Sequence, residues 1–283
     1  MADPRGPSAD AERWLAPLRR ACDRVAAEVL SLPPGRRAEP QGRGAGGDVS
    51  LLVDTSAEAV VLAELDALGR PLTLISEELG ERDLHGGGPP FVVLDPIDGS
   101  LNAKRGLPGF ATALAVAEGR TIADVTLGLV RDHGTGEDFV AERGRGAWVD
   151  GAPLAAAPVP DGRLELLMLE GASPARVARA ARELDGRVGR LRAMGSLALS
   201  LCHTAAGRAD AMAGLGLGRA VDVAGAQLVA REAGLLVGFP SPGALPGTPL
   251  DLTTRFQVLA APDEATLALL SRALEPSATA ASG

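Results

Sequence analysis

The chain has 283 residues, of which 46 % are hydrophobic and 23 % charged, ordinary globular proportions that allow one large domain or two fused halves. A formal net charge of −8 leaves no basic excess to neutralise a phosphate backbone, which argues against nonspecific nucleic-acid binding. Two cysteines (Cys22, Cys202) and three scattered histidines (His85, His133, His203) exclude a disulfide framework and argue against a Cys/His zinc centre.

Residues 1–10 are polar and Pro-containing rather than a signal sequence, and no apolar run reaches spanning length. The expectation is a cytoplasmic protein without a membrane partner. Residues 1–7 and Glu275–Gly283 read as disordered ends.

In chain order, Trp14, Leu18, Cys22, Val25 and Val29 make one apolar face of a helix over Ala9–Leu32, stopped by Pro33-Pro34. The Gly/Arg-rich stretch Arg36–Gly47 reads as a mobile loop. Thr55 and Glu58 have capping-box spacing before the stripe Val61, Leu62, Leu65 and Leu68, closed by Gly69. Strands are expected at Leu72–Ile75, Phe91–Leu94, Ala111–Ala117 and Ile122–Val130, with a turn–strand–turn over Gly144–Gly151.

Beyond a seam placed near residue 155, strands at Leu164–Leu169, Arg190–Met194 and Gln257–Ala261 alternate with helices at Pro174–Leu184, Ser196–Ala206, Ala220–Ala233 and Asp263–Leu274. This gives an α+β half over residues 8–155 and an α/β half over residues 156–274.

Four acidic islands fall at element ends: Asp48 with Asp54, Glu77-Glu78, Asp95 with Asp98, and Asp222. Each has a plain structural reading as a helix cap, a solvated pair or a turn. Together, carboxylates fixed at rigid ends suit hard cations such as Mg²⁺, and the Gly99-Ser100 turn offers N–H groups to an anion.

Asp95-Pro-Ile-Asp-Gly-Ser-Leu-Asn102 resembles the D-P-[IL]-D-G-[ST]-x-N signature of the inositol monophosphatase superfamily, which includes fructose-1,6-bisphosphatases. Asp48–Asp54 is similar to its D-x-x-T-x-x-D segment, Ser76-Glu77-Glu78 to its G/S-E-E element and Gly144–Trp148 to G-x-G-A. Gly195-Ser196, Ala206–Asp210, Asp222–Ala226 and Glu232–Gly234 follow in family order. The resemblance spans roughly residues 10–265.

It implies an alternating α-β-α-β-α layered sandwich and a Mg²⁺-dependent, Li⁺-sensitive phosphomonoesterase, commonly dimeric, acting on sugar or cyclitol phosphates. It implies that Glu77, Asp95 and the Ile97 carbonyl bind one metal, that Asp95, Asp98 and Asp222 bind a second, and that Glu77 helps with a third. Gly99 and Ser100 N–H groups would hold phosphate, while Asp54 and the Ser100 hydroxyl would orient and deprotonate water. Candidate substrate contacts are Arg192, Ser196, Leu215 and Arg219, with Lys104 and Arg105 as further basic residues.

Departures are Ser100 and Leu51 at threonine positions, Arg219-Ala-Val-Asp222 where animal enzymes have tryptophan before the aspartate, and Leu215 in place of a ring-binding glutamate. The Arg219-Ala-Val-Asp222 version, with Ser76-Glu77-Glu78-Leu79-Gly80, more closely resembles the archaeal dual fructose-bisphosphatase/inositol-phosphatases. The alternatives are a 3′(2′),5′-bisphosphate nucleotidase or a non-catalytic relative; a haloacid-dehalogenase phosphatase is disfavoured by the three-residue carboxylate spacing.

Overall fold

A computed structural model describes residues 6–159, 162–239 and 247–274; most of the two expected loose ends lies outside them. Eight strands form the larger sheet, in the order β10-β9-β8-β7-β6-β5-β3-β4. They are β3 (Leu72–Ser76), β4 (Gly80–Leu84), β5 (Phe91–Asp98), β6 (Ala111–Ala117), β7 (Val125–Asp132), β8 (Asp138–Glu142), β9 (Gly146–Val149) and β10 (Ala152–Pro153). Within this sheet, among the described residues, only β3 and β5 pair in parallel. From β5 onward the sheet is an antiparallel meander.

The second sheet has the order β12-β11-β13-β15-β14, built from β11 (Leu164–Glu170), β12 (Val188–Arg192), β13 (Ala211–Gly214), β14 (Leu236–Gly238) and β15 (Leu259–Ala261). A third, two-stranded ribbon joins β1 (Pro40–Arg43) to β2 (Val49–Leu51).

Side-chain alternation divides the helices among three layers. Val92, Leu94, Leu114, Val116, Leu127 and Leu129 point to one face of the larger sheet, where they pack with α1 (Ala9–Arg24) and α3 (Leu52–Asp66). Phe91, Val93, Ala111, Ala113 and Ala115 point to the other, against α6 (Leu197–Ala205) and α7 (Ala220–Glu232). Met168 and Met212 of the second sheet meet the same two helices, while Leu167, Leu169 and Ala213 face α5 (Pro174–Leu184) and α8 (Glu264–Leu274). The order is therefore α-β-α-β-α, as expected.

Sandwiched between two sheets, α7 is buried from Ala220 to Ala230, so its sequence is apolar all round rather than striped. It approaches the larger sheet through paired glycines. A Cβ on Gly225 would lie 2.3 Å from the Leu114 carbonyl oxygen, and one on Gly128 would lie 2.5 Å from the Gly225 carbonyl oxygen. This contact presses the N-terminal turn of α7, and Asp222 with it, toward the end of β5.

Several boundaries differ from the sequence expectation. The first helix passes into a π turn at Val25–Val29. The strand expected from Ile122 begins at Val125 after a 3₁₀ turn, and that expected over Arg190–Met194 runs from Val188 to Arg192. Arg36–Gly47 is not a loop throughout: α2 (Pro34–Arg37) and β1 occupy much of it. Its turn donates backbone hydrogen bonds from Ala45 and Gly46 to the Glu78 and Glu77 carbonyls, at 3.0 and 2.9 Å. No capping box forms at Thr55 and Glu58, because residues 52–54 are already helical.

Candidate metal and phosphate site

The site begins with an irregularity in β5. Asp95 pairs with Ala113 and Asp98 with Ala111, so three steps on β5 match two on β6. Carboxylates three apart on a regular strand would face opposite sides; the extra residue brings both to one side. Thr112 Oγ1 donates to the Pro96 carbonyl at 2.8 Å, tying down the bulged segment.

The chain then turns through Gly99 at φ 95°. A Cβ there would lie 2.8 Å from the Gly109 carbonyl, so only glycine fits. The short helix α4 (Ser100–Arg105) follows; Asn102 and Ala103 donate to the Gly99 carbonyl at 2.8 and 3.1 Å, and the Ser100 and Leu101 N–H groups precede these first helical bonds.

Asp54 occupies the first turn of α3. Its Oδ2 accepts the Leu51 N–H at 3.2 Å and its Oδ1 accepts the Ser100 hydroxyl at 2.9 Å. Leucine at position 51 has no side-chain oxygen to accept a first-turn N–H, and Asp54 reaching back to the Leu51 N–H supplies only the reciprocal half of a capping box. Burial, opposed by the Ser100 hydrogen bond, pushes the Asp54 carboxyl up to about 6. The same Ser100 hydroxyl lies 2.9 Å from the Ile97 carbonyl, giving one proton two acceptors.

Glu77 follows β3. Below it Glu58, instead of capping, points inward to accept from the Ser76 hydroxyl and from the Leu79 N–H at 3.1 Å. This anchors the turn that carries Glu77. Its neighbour Glu78 accepts from the Ser50 hydroxyl.

Asp98 Oδ2 accepts the Ser196 hydroxyl at 2.6 Å and the Ala198 N–H at 2.7 Å, at the start of α6. Asp222 Oδ2 accepts the Arg219 N–H at 2.8 Å, while its Oδ1 is buried without a hydrogen bond.

Glu77, Asp95 and Asp222, from three separate elements, each bring a carboxylate oxygen within 4.8 Å of the others. Burial raises all three, and their mutual repulsion adds to the rise at Asp95. The Glu77 carboxyl is pushed up to about 8, against the pull of Arg219. Asp98 is pushed up to about 7 by burial and then by Asp222. Crowded, dry, oxygen-only donors, with one buried oxygen that makes no hydrogen bond and is met by an ion pair alone, fit a hard divalent cation.

These residues, with Asp54, Ser100, Lys104 and Arg219, line a cleft of about 390 Å³. The other expected contacts lie elsewhere. Ser196 is fully buried and holds Asp98 rather than facing the cleft. Leu215 lines a separate pocket of about 90 Å³ with Arg176 and Arg179. Arg192 is exposed on the edge strand β12, its guanidinium on the Leu191 carbonyl at 2.9 Å. Arg105 is exposed at the end of α4.

Sequence reading missed Glu170, the last residue of β11, which accepts the Met194 and Gly195 N–H groups at 2.8 and 2.9 Å and the Ser200 hydroxyl at 2.7 Å. It fixes the segment that leads to Ser196 and so to Asp98. An acidic residue ending an apolar strand is the same signal that singled out Glu77.

Comparison with known proteins agrees with this geometry. The inositol monophosphatase family matches residues 11–278. A fructose-1,6-bisphosphatase/inositol-1-monophosphatase of Methanothermobacter thermautotrophicus is 32 % identical over 228 residues, covering 77 % of this chain and 80 % of the relative. Nus factor SuhB of Escherichia coli strain K12 is 33 % identical over 226 residues, with the same coverage of 77 % and 80 %.

Among solved structures, an inositol monophosphatase-fructose 1,6 bisphosphatase superposes with a TM-score of 0.80 at 26 % identity, covering 92 % of this chain and 99 % of the other. Mycobacterium tuberculosis SuhB gives 0.67 at 28 % identity, covering 92 % and 98 %. The chain belongs to the inositol monophosphatase family and is a phosphatase hydrolase.

Proposed function

We propose that this protein is a Mg²⁺-dependent phosphomonoesterase acting on sugar or cyclitol phosphates, with fructose 1,6-bisphosphate and myo-inositol 1-phosphate as its first candidate substrates. The observation that carries this reading is the meeting of Glu77, Asp95 and Asp222 within 4.8 Å in a cleft that also contains Gly99 and Ser100.

Glu77, Asp95, Asp98, Asp222 and the Ile97 carbonyl would hold two to three ions. Bound there, the cations supply positive charge to the phosphoryl oxygens and lower the pKa of water.

The chain's own groups do the positioning. Gly99 and Ser100 present N–H groups to the phosphate, and the Gly99 turn sets their direction. Asp54 and the Ser100 hydroxyl orient the attacking water opposite the leaving oxygen. A carboxyl raised to about 6 is well matched to accept a proton near neutral pH. Lys104 offsets charge at the cleft wall. Nothing in this arrangement calls for a phosphoenzyme, because in-line transfer needs chiefly position and charge.

The reading includes Li⁺ inhibition, a cytoplasmic setting and a homodimer. It is tested by measuring phosphate release from fructose 1,6-bisphosphate, myo-inositol 1-phosphate and phosphoadenosine phosphate, with and without Mg²⁺ and Li⁺. Release from either of the first two that needs Mg²⁺ is expected. Turnover of the nucleotide alone would replace the substrate assignment, and equal turnover in excess chelator would end the metal assignment.

A further inference from the structure

Arg219 is the cation that, among the described residues, is ion-paired with the acidic cluster. Its Nη2 lies 2.5 Å from Glu77 Oε1 and 3.4 Å from Asp222 Oδ1, and its Nη1 lies 3.2 Å from Asp48 Oδ2. The side chain is only 12 % exposed. Its guanidinium thus rests on two of the three carboxylates that converge for a cation.

The β1–β2 turn holds it there. Gly46 donates its N–H to the Glu77 carbonyl at 2.9 Å, and its own carbonyl accepts from Arg255 Nη2 at 3.2 Å. A Cβ on Gly46 would come 2.5 Å from Arg219 Nη1, so the absent side chain is the space the guanidinium uses. The backbone at this residue is not in the left-handed region, and alanine is conformationally acceptable there.

Resting on the metal reading above, we propose that Arg219 is a built-in counter-cation that competes directly with the divalent ion for Glu77 and Asp222, keeping the metal-free cluster assembled and setting a threshold for metal loading. A guanidinium fork and a hard cation need the same carboxylate lone pairs. Loading the ion therefore costs the Arg219 contacts, and removing them tightens metal binding while destabilising the metal-free fold. Arg219 acts as a residue that sets metal affinity, distinct from the ligands themselves.

Two variants separate direct competition from a general charge effect. Arg219→Met removes the guanidinium and its charge. Gly46→Ala keeps every charge and brings a Cβ 2.5 Å from Nη1, against 3.3 Å from Glu77 Cγ, so the flexible guanidinium end is the group that must move most. Isothermal calorimetry of the purified full chain with MgCl₂ is the readout, with metal-free thermal unfolding measured in parallel.

The expected result is a Mg²⁺ dissociation constant lower by about tenfold in Arg219→Met, the factor that one charge-assisted hydrogen bond represents. A smaller decrease in the same direction is expected in Gly46→Ala, with a lower metal-free melting temperature in both. Wild-type binding with unchanged or weaker affinity in both variants overturns the inference and leaves the metal reading standing. Tightening in Arg219→Met alone overturns direct competition in favour of long-range charge. Absence of Mg²⁺ binding in wild type and variants alike overturns the metal reading and this inference together. Should Arg219→Met fail to fold, Gly46→Ala decides the question.

Discussion

Two groups of buried carboxylates in this fold have opposite characters. Glu170 and Glu58 are 3 % and 2 % exposed, and neither faces another carboxylate ligand of the cleft in its hydrogen bonding. Neutral donors answer them: two backbone N–H groups and a hydroxyl for Glu170, one of each for Glu58.

Glu77, Asp95 and Asp222 are also largely dry, yet they crowd one another, and Asp222 Oδ1 has no hydrogen-bond donor. A buried carboxylate surrounded by neutral donors is a brace. Several that converge on one another, with Arg219 as their one paired cation among the described residues, form a site that further positive charge stabilises. The braces also serve the site, since Glu58 supports the turn of Glu77 and Glu170 supports the segment that binds Asp98.

The comparison breaks if substitutions in the two groups behave alike. Asp95→Asn should lower kcat/KM by roughly 10³-fold or more, the several kcal/mol expected of lost metal stabilisation. In the metal-free protein the same change should raise the melting temperature by about 2–4 °C, equivalent to ~1 kcal/mol of relieved repulsion. Glu170→Gln should do the reverse. Its amide NH₂ would face a donor, costing about 2 kcal/mol in denaturant unfolding, with activity reduced far less than in Asp95→Asn. Destabilisation of equal size and sign in both variants would erase the distinction.

A pH series sharpens it with a smaller effect. The carboxyls of Asp54, Asp98 and Glu77 are raised to about 6, 7 and 8 in the folded state, above the value near 4 of an unfolded chain. Folded protein therefore holds protons that unfolded protein releases, and the penalty of these groups grows from about pH 4 to 8 and is then constant. Their contribution makes metal-free stability rise as pH falls from 8 toward 6.

His133, lowered to about 4 by burial, works in the other direction and removes stability below about pH 6.5. The three raised carboxyls outweigh the single histidine, so metal-free stability should be higher at pH 6 than at pH 8, and the increment from saturating Mg²⁺ should be larger at pH 8 than at pH 6. Melting temperatures with Mg²⁺ and with chelator, measured at both pH values, check this; a flat increment would contradict the buried-charge account.

Much of this was legible in the sequence because it is local. The strand Ala111–Ala117 and the helix Pro174–Leu184 have the expected limits, set by an unbroken small-apolar run and by Ser173-Pro174 at the helix entry. The carboxylates Asp54, Glu77, Asp95, Asp98 and Asp222 could be marked because each falls at an element end or within three residues of one.

What remained hidden is long-range. Strand β1 has no buried position, and its turn is held by carbonyls of residues 77 and 78, so composition reads it as a loop. Thr55 and Glu58 have the spacing of a cap, but the helix begins three residues earlier and Glu58 is recruited by Ser76. Ser196 matched the family pattern, but its direction, into Asp98 rather than into the cleft, depends on where α6 meets β5. The pairing of Arg219 with Glu77 spans 142 positions, a contact that no local spacing encodes.

The most direct measurement is anomalous diffraction from crystals of the full chain soaked in Mn²⁺ as a Mg²⁺ substitute near pH 8. The account predicts difference peaks within bonding distance of Glu77, Asp95 and Asp222, and of Asp98, with Arg219 displaced from Glu77. A well-ordered cleft with those carboxylates in place and no peak among them at saturating Mn²⁺ would contradict it.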